Sequence, residues 1–184
     1  MATTARSTPR PPVQATGRVV RDRDGLELLV QRRLPISVAD AWKWMTASAQ
    51  LKKWIGGWKG TPTVGAVASF TMAFEKGAAA EQVTILECVP QERLLVDVTT
   101  GAGPMRIGFS LAEVDGSTIV YFHQRLDDYR EAGNMGPGWE YYLDRLVAAQ
   151  SGGTMPEFTD YHPSQQPYFE RLALDGDPEN WTLR

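Results

Sequence analysis

Two histidines, His123 and His162, and one cysteine, Cys88, are the chain's only sources of imidazole or thiol chemistry. A general base must come within hydrogen-bond reach of the proton it takes. His123 lies in the run STIVYFHQRL, where alternation turns it outward if Val120 and Phe122 face inward. The reverse parity stays open, because Ile119 and Tyr121 are also apolar. A surface or sheet-packing role is expected for His123, and His162 has no evident partner. Cys88 sits in an apolar run, where a free thiol is expected to be buried and inert. No spacing of His, Cys, Asp and Glu suits a metal, no Ser–His–Asp set is recognisable, and the glycines form no phosphate loop. No cofactor is expected, and catalysis has little equipment to rest on.

The aromatic and methionine side chains are the better signal. Trp54, Trp58, Phe70, Met72, Phe74, Met105, Phe109, Phe122, Trp139 and Tyr142 can converge on one interior. They either fill it or wall a pocket for a flat or lipidic apolar molecule. Gln124, Arg106, Glu81 and Tyr142 are the polar groups able to orient such a ligand. An inward Arg or Glu would have to be paired or solvated, since a dry, lone charge costs several kcal/mol. The expected ligand-binding set is the ten bulky residues together with Gln124.

These residues need a sheet and a helix to bring them together. LELLVQRRL, residues 26–34, reads as a strand ended by Pro35, with a turn at Asp24-Gly25 before it. Ser37 is a good N-cap for a short helix with Val38, Ala41, Trp42 and Met45 on one face. Ser48 can start a second, placing Leu51, Trp54 and Ile55 together, and Gly56-Gly57 is expected to stop it. A meander of five antiparallel strands follows, with its strongest hairpin signal at Asp115-Gly116. The last element, GPGWEYYLDRLVAAQ, carries Trp139, Tyr142, Leu143, Leu146 and Val147 at the spacing of a helix laid on a sheet. Glu140, Asp144 and Arg145 are expected on or near its other side. Pro137 either opens this helix or lies within one that starts near Asp128, which the spacing of Tyr129 and Met135 favours. An interrupted helix over a sheet leaves a gap, and that gap is the physical case for a cavity.

The 184 residues suit one domain with tails. Residues 1–17, rich in Thr, Ala, Pro and Arg, are expected to be a disordered arm, and residues 18–150 the folded domain. Residues 151–184 form an extension whose Phe158, Tyr161, Tyr168, Phe169, Leu172, Leu174 and Trp181 are too apolar for a solvated tail. It is expected to pack on its own domain or on a second subunit, so a homodimer is plausible. Within it, Ser164 can cap a short helix with Pro167 in the first turn. The net charge of −3 and pI of about 5.4 argue against a nucleic-acid partner. No apolar run reaches membrane-spanning length, the N-terminus lacks the apolar stretch of a secretory signal, and one cysteine fits a reducing compartment, so no membrane association and a cytoplasmic location are expected.

The order and spacing of VADAWKWMTASAQLKKWIG, VGAVASFTM, VPQERLLV, DGSTIVYF and GWEYYLDRL resemble the family of homologues of the activator of the heat-shock-protein-90 ATPase. That family lies in the START-like superfamily, which includes polyketide cyclases. The resemblance covers residues 28–150 and implies an α+β helix-grip fold: a curved antiparallel sheet, here of about six strands, wrapped around a long C-terminal helix with a cavity between them. The chain departs from the pattern at Pro137 and in the length of its extension. The resemblance implies no single activity, because members bind, catalyse or assist partners on one scaffold. Binding of a small hydrophobic ligand is the leading expectation. A cyclase- or dehydratase-like enzyme using a pocket acid or base, and a protein-interaction role such as assisting a chaperone, are the alternatives.

Overall fold

The computed structural model describes residues 13–22, 25–61, 63–101 and 103–176. Eight strands form one antiparallel sheet: β1 (Arg18–Asp22), β2 (Gly25–Leu34), β3 (Gly56–Lys59), β4 (Val67–Met72), β5 (Ala80–Val89), β6 (Arg93–Thr100), β7 (Gly103–Val114) and β8 (Ser117–Leu126). Their order across the sheet is β1-β2-β8-β7-β6-β5-β4-β3. The strands β3 to β8 are a continuous meander, and β2 closes onto β8 with Val30 opposite Phe122. The helices α1 (Val38–Thr46) and α2 (Ser48–Leu51) carry the chain from β2 to the far edge at β3. The long helix α3 (Glu131–Ser151) packs on β2, and α4 (Gln166–Gly176) packs on α3 and β1. This is the expected helix-grip architecture.

Local chemistry accounts for most boundaries. The Ser37 hydroxyl accepts from the Asp40 N–H and caps α1. Asp115 and Gly116 both take positive φ, 49° and 70°, which is what the two-residue turn joining β7 to β8 requires. Between α3 and the sheet, Leu28, Val30, Val120, Leu143 and Leu146 are essentially inaccessible to solvent. Burial of each such side chain contributes about 1.5–3 kcal/mol.

Two strands exceed the expected six. The segment before Gly25 pairs with β2 as a strand of its own, Val19 opposite Leu28. The second is β3, which begins at the Gly56-Gly57 pair expected to end a helix. A Cβ at Gly56 would lie 2.3 Å from the Thr71 carbonyl oxygen and 2.9 Å from the Phe70 ring. Glycine is therefore required for β3 to approach β4. Ser48 does not cap α2; its hydroxyl donates to the Trp58 carbonyl at 3.1 Å and ties α2 to β3.

The largest departure concerns the back of α3. The helix starts upstream, with Pro137 in its interior, yet Glu140 and Arg145 are buried there instead of facing solvent. Arg145 lies against Phe74, Tyr141 and the Trp54 carbonyl, while residues 13–17, expected to belong to a disordered arm, cover Glu140. The N–H groups of Thr16 and Gly17 donate to Glu140 Oε1 at 2.5 and 2.6 Å. Arg32 on β2 pairs with both Glu140 and Asp144, and the Tyr161 hydroxyl donates to Asp144 at 2.6 Å. Burial alone would lower the Arg32 pKa; the neighbouring Glu140 and Asp144 outweigh it and raise the pKa above its ordinary value. Tyr161 and Phe169 of the extension are buried within this same chain, whereas Phe158 and Met155 stay exposed. Ser164 does not cap α4, since its hydroxyl bonds the Asp160 carbonyl. The expectations for residues 1–12, the Leu174 side chain and Trp181 lie outside the described residues.

Candidate functional site

Between the sheet and the first half of α3 lies a cavity of about 370 Å³, a volume within the range of small-molecule sites. Alternation on each strand builds its sheet wall: Phe70 and Met72 from β4, Val83 from β5, Val96 and Val98 from β6, Met105 and Phe109 from β7, Phe122 from β8. Trp54 and Trp58 close the end below α2. Asn134, Met135, Gly138, Trp139 and Tyr142 form the helical wall. Of the expected set, Trp54, Trp58, Phe70, Met72, Met105, Phe109, Phe122, Trp139 and Tyr142 line the cavity.

Gly138 leaves open space on the helix side. A Cβ built there meets no atom within 4 Å, and the residue itself lines the cavity. Any ordinary helix residue at this position would project into the hollow. Its neighbour Gly136 behaves oppositely: a Cβ there would lie 2.4 Å from ring atoms of Phe169. The glycines flanking Pro137 thus admit a ring from α4 behind the helix and leave a void in front.

The remaining expected residues are placed differently. Gln124 is buried but does not line the cavity; its side-chain oxygen accepts from Trp139 Nε1 at 2.5 Å and fixes the indole, which packs 4.1 Å from the Phe122 ring. Phe74 falls beyond the end of β4, so strand alternation no longer points it inward. It is 42% exposed, and the Arg145 guanidinium lies 3.5 Å above its ring. Arg106 is exposed and forms a bidentate pair with its cross-strand partner Asp97, at 2.8 and 2.9 Å. The Arg106 hydrogen bond holds the Asp97 carboxyl below the usual carboxylate range. Glu81 does line the cavity. The sequence reading missed Glu75, Asn134, Met135 and Gly138, and the β6 side chains. Leu94, Val96 and Val98 alternate in RLLVDVTT and were legible by period; Glu75, in a loop, carries no such signal.

Glu75 accepts a hydrogen bond from the Tyr142 hydroxyl at 3.1 Å, joining the β4–β5 loop to α3 at the cavity's rim. Burial, then the Glu75 charge, raises the Tyr142 pKa far above that of a free phenol, so the hydroxyl stays protonated. Arg145, behind this wall, donates to the Trp54 carbonyl at 2.9 Å and to the Tyr141 hydroxyl at 3.2 Å.

His123 faces away from the cavity, across from Gly108, with Glu27 at 3.8 Å. Burial lowers its pKa, opposed by Glu27. The unfolded chain therefore takes up this proton first as pH falls. The stability that depends on neutral His123 is complete above the unfolded pKa, about 6.5, and is lost as pH drops towards the lower folded value. Urea unfolding between about pH 7.5 and 5 is expected to show a loss of stability that is smaller in His123→Gln. Equal slopes in the two proteins would refute this placement. Among the described residues, no group of three or more His, Cys, Asp or Glu could hold a metal ion, and no helix is long and apolar enough to cross a membrane.

The sequence profile described as "Activator of Hsp90 ATPase homolog 1-like protein" matches residues 35–150. No curated protein matches the chain. Among solved structures, the chain is similar to the crystal structure of CalU16 from Micromonospora echinospora, with 18% identity, a TM-score of 0.70, and coverage of 87% of this chain and 97% of that one. It is also similar to DynU16 from the dynemicin biosynthetic locus, with 20% identity, a TM-score of 0.61, and coverage of 72% of this chain but only 50% of that one. The solution structure of the protein encoded by BPP1335 from Bordetella parapertussis gives 19% identity, a TM-score of 0.64, and coverage of 92% and 96%. At such identities the likeness carries the fold and not the activity.

Proposed function

The chain belongs to the family of Activator of Hsp90 ATPase homolog 1-like proteins, and from that premise we propose that it binds a small hydrophobic ligand between the sheet and α3. The observation that supports this is the hollow at Gly138. A chain using this fold only as a scaffold would gain stability by filling that position, since glycine inside a helix costs about 1 kcal/mol relative to alanine. The single cysteine and the acidic charge suit action in the cytoplasm on a small molecule and not on nucleic acid.

The test is uptake of a neutral apolar dye, N-phenylnaphthylamine, followed by its fluorescence. Gly138→Leu is expected to weaken uptake about tenfold or more by occupying the cavity, while thermal stability stays level or rises because leucine is the better helix former. Gly138→Ala, with less added volume, should stabilise similarly and weaken uptake less. Unchanged uptake in Gly138→Leu at full stability would refute the proposal.

A further inference from the structure

Within the apolar sheet wall one position breaks the pattern. On β5, Glu81, Val83 and Ile85 share the inward face, and the latter two are buried. Period-2 alternation would put an apolar residue at Glu81, and a carboxylate there is a local cost without a packing gain. Glu81 has no hydrogen-bond or ion-pair partner among the described residues, whereas Glu75 is held by Tyr142. No Lys, Arg or His is among the described residues that line the cavity. Lys76, next to Glu75 in the loop, is exposed and does not line it. Arg145 lies behind the wall against Phe74, Tyr141 and the Trp54 carbonyl.

The neighbours of Glu81 give it a chemical meaning. Trp58 on β3 is directly opposite Phe70 on β4, and Phe70 is directly opposite Glu81 on β5. All three line the cavity, so two aromatic rings and one carboxylate stand in a row across adjacent strands. Directly opposed side chains in such a row start about 4.5–5.5 Å apart. A positive nitrogen is attracted both to aromatic faces and to a carboxylate, and these attractions strengthen away from bulk water. A carboxylate or phosphate headgroup would find no cationic side chain among the described lining residues and would be repelled by Glu81 and Glu75.

We propose that the cavity selects ligands whose apolar body carries a cationic nitrogen, seated by Trp58, Phe70 and Glu81. This rests on the binding reading above and adds the charge of the ligand to it. The test is competition against bound N-phenylnaphthylamine by decyltrimethylammonium and decanoate below their micelle concentrations and decanol below its solubility limit, all at low salt. The ammonium should displace the dye at about tenfold lower concentration than the alcohol, and decanoate should be the weakest. In Glu81→Gln, checked for unchanged thermal stability, the ammonium should fall back to the level of the alcohol. Equal displacement by ammonium and alcohol in the parent protein, or an ammonium advantage that survives in Glu81→Gln, overturns this inference and leaves ligand binding standing. Failure of all three compounds to displace the dye overturns this inference alone, whereas absence of dye uptake by the parent protein overturns both.

Discussion

Replacing Glu140 with alanine is expected to lower the unfolding free energy by about 3–5 kcal/mol, the usual cost of removing one partner from a buried charge pair. Glu140 is fully buried in the middle of α3 and accepts from the Thr16 and Gly17 N–H groups, the Thr16 hydroxyl and Arg32. Its loss leaves two backbone donors without their acceptor and Arg32 with Asp144 as its one remaining carboxylate partner among the described residues. The measurement is the urea midpoint at neutral pH at constant m-value. A cycle separates the two causes. Arg32→Met with Glu140→Leu removes both charges together, so the ionic part of the penalty should largely vanish. The buried Gly17 N–H stays unsatisfied, however, at about 1–3 kcal/mol, while exposed Thr16 can turn to water, and the double variant should remain less stable than the parent. A full return to parental stability would show that the N-terminal segment contributes nothing through Glu140. A cost below about 1 kcal/mol for Glu140→Ala, the value of an exposed pair, would refute the buried arrangement altogether.

The second large effect is expected at Phe169, where truncation to alanine should cost about 3–5 kcal/mol. The ring is fully buried and fills a slot left by two missing side chains, since Cβ atoms at Gly17 and Gly136 would lie 2.8 and 2.4 Å from it. Tyr168 packs against it edge-on at 5.1 Å and donates its hydroxyl to the Gly17 carbonyl at 2.8 Å. Thermal unfolding of Phe169→Ala reads the loss. Gly136→Ala provides the complementary check, because its methyl group collides with a ring that cannot move freely. That variant should be destabilised alone, and in the Phe169→Ala background it should cost much less, a coupling expected only of residues in contact. Additive effects would mean that Phe169 does not occupy this slot. Since Phe169 packs behind α3 and the cavity lies in front, surviving Phe169→Ala protein should still take up the dye.

These experiments probe the parts of the molecule that were hardest to read from the chain. Short-range pattern determined a good deal. The meander, the turn at Asp115-Gly116, the cap at Ser37 and the apolar stripe of Leu143 and Leu146 all follow from periods of two or 3.6 and from backbone chemistry that each residue carries with it. Nine of the eleven residues expected to bind a ligand line one cavity: strand alternation turns six of them inward, helical spacing brings Trp139 and Tyr142, and Trp54 follows α2. Phe74 broke the rule where its strand ended, whereas Gln124 keeps the inward face but spends its oxygen on Trp139 instead of lining the cavity. The strand β3 was hidden because its two glycines read as a helix stop, while Gly56 serves close approach to β4, a partner distant in sequence, and Gly57 lies against Lys52 and Ser48.

The sequence by itself therefore determined which residues can share a face, and so the sheet, the helix and the aromatic character of the interior. Only the tertiary structure decided that the N-terminal segment covers Glu140 and that Trp54, Phe74 and Tyr141 surround Arg145, which turned both from surface charges into buried ones. It alone decided that the hollow at Gly138 stays open while the space beside Gly136 is filled. The physical reason is that periodicity is local, whereas an empty volume is the difference between the space enclosed by distant elements and the side chains that enter it.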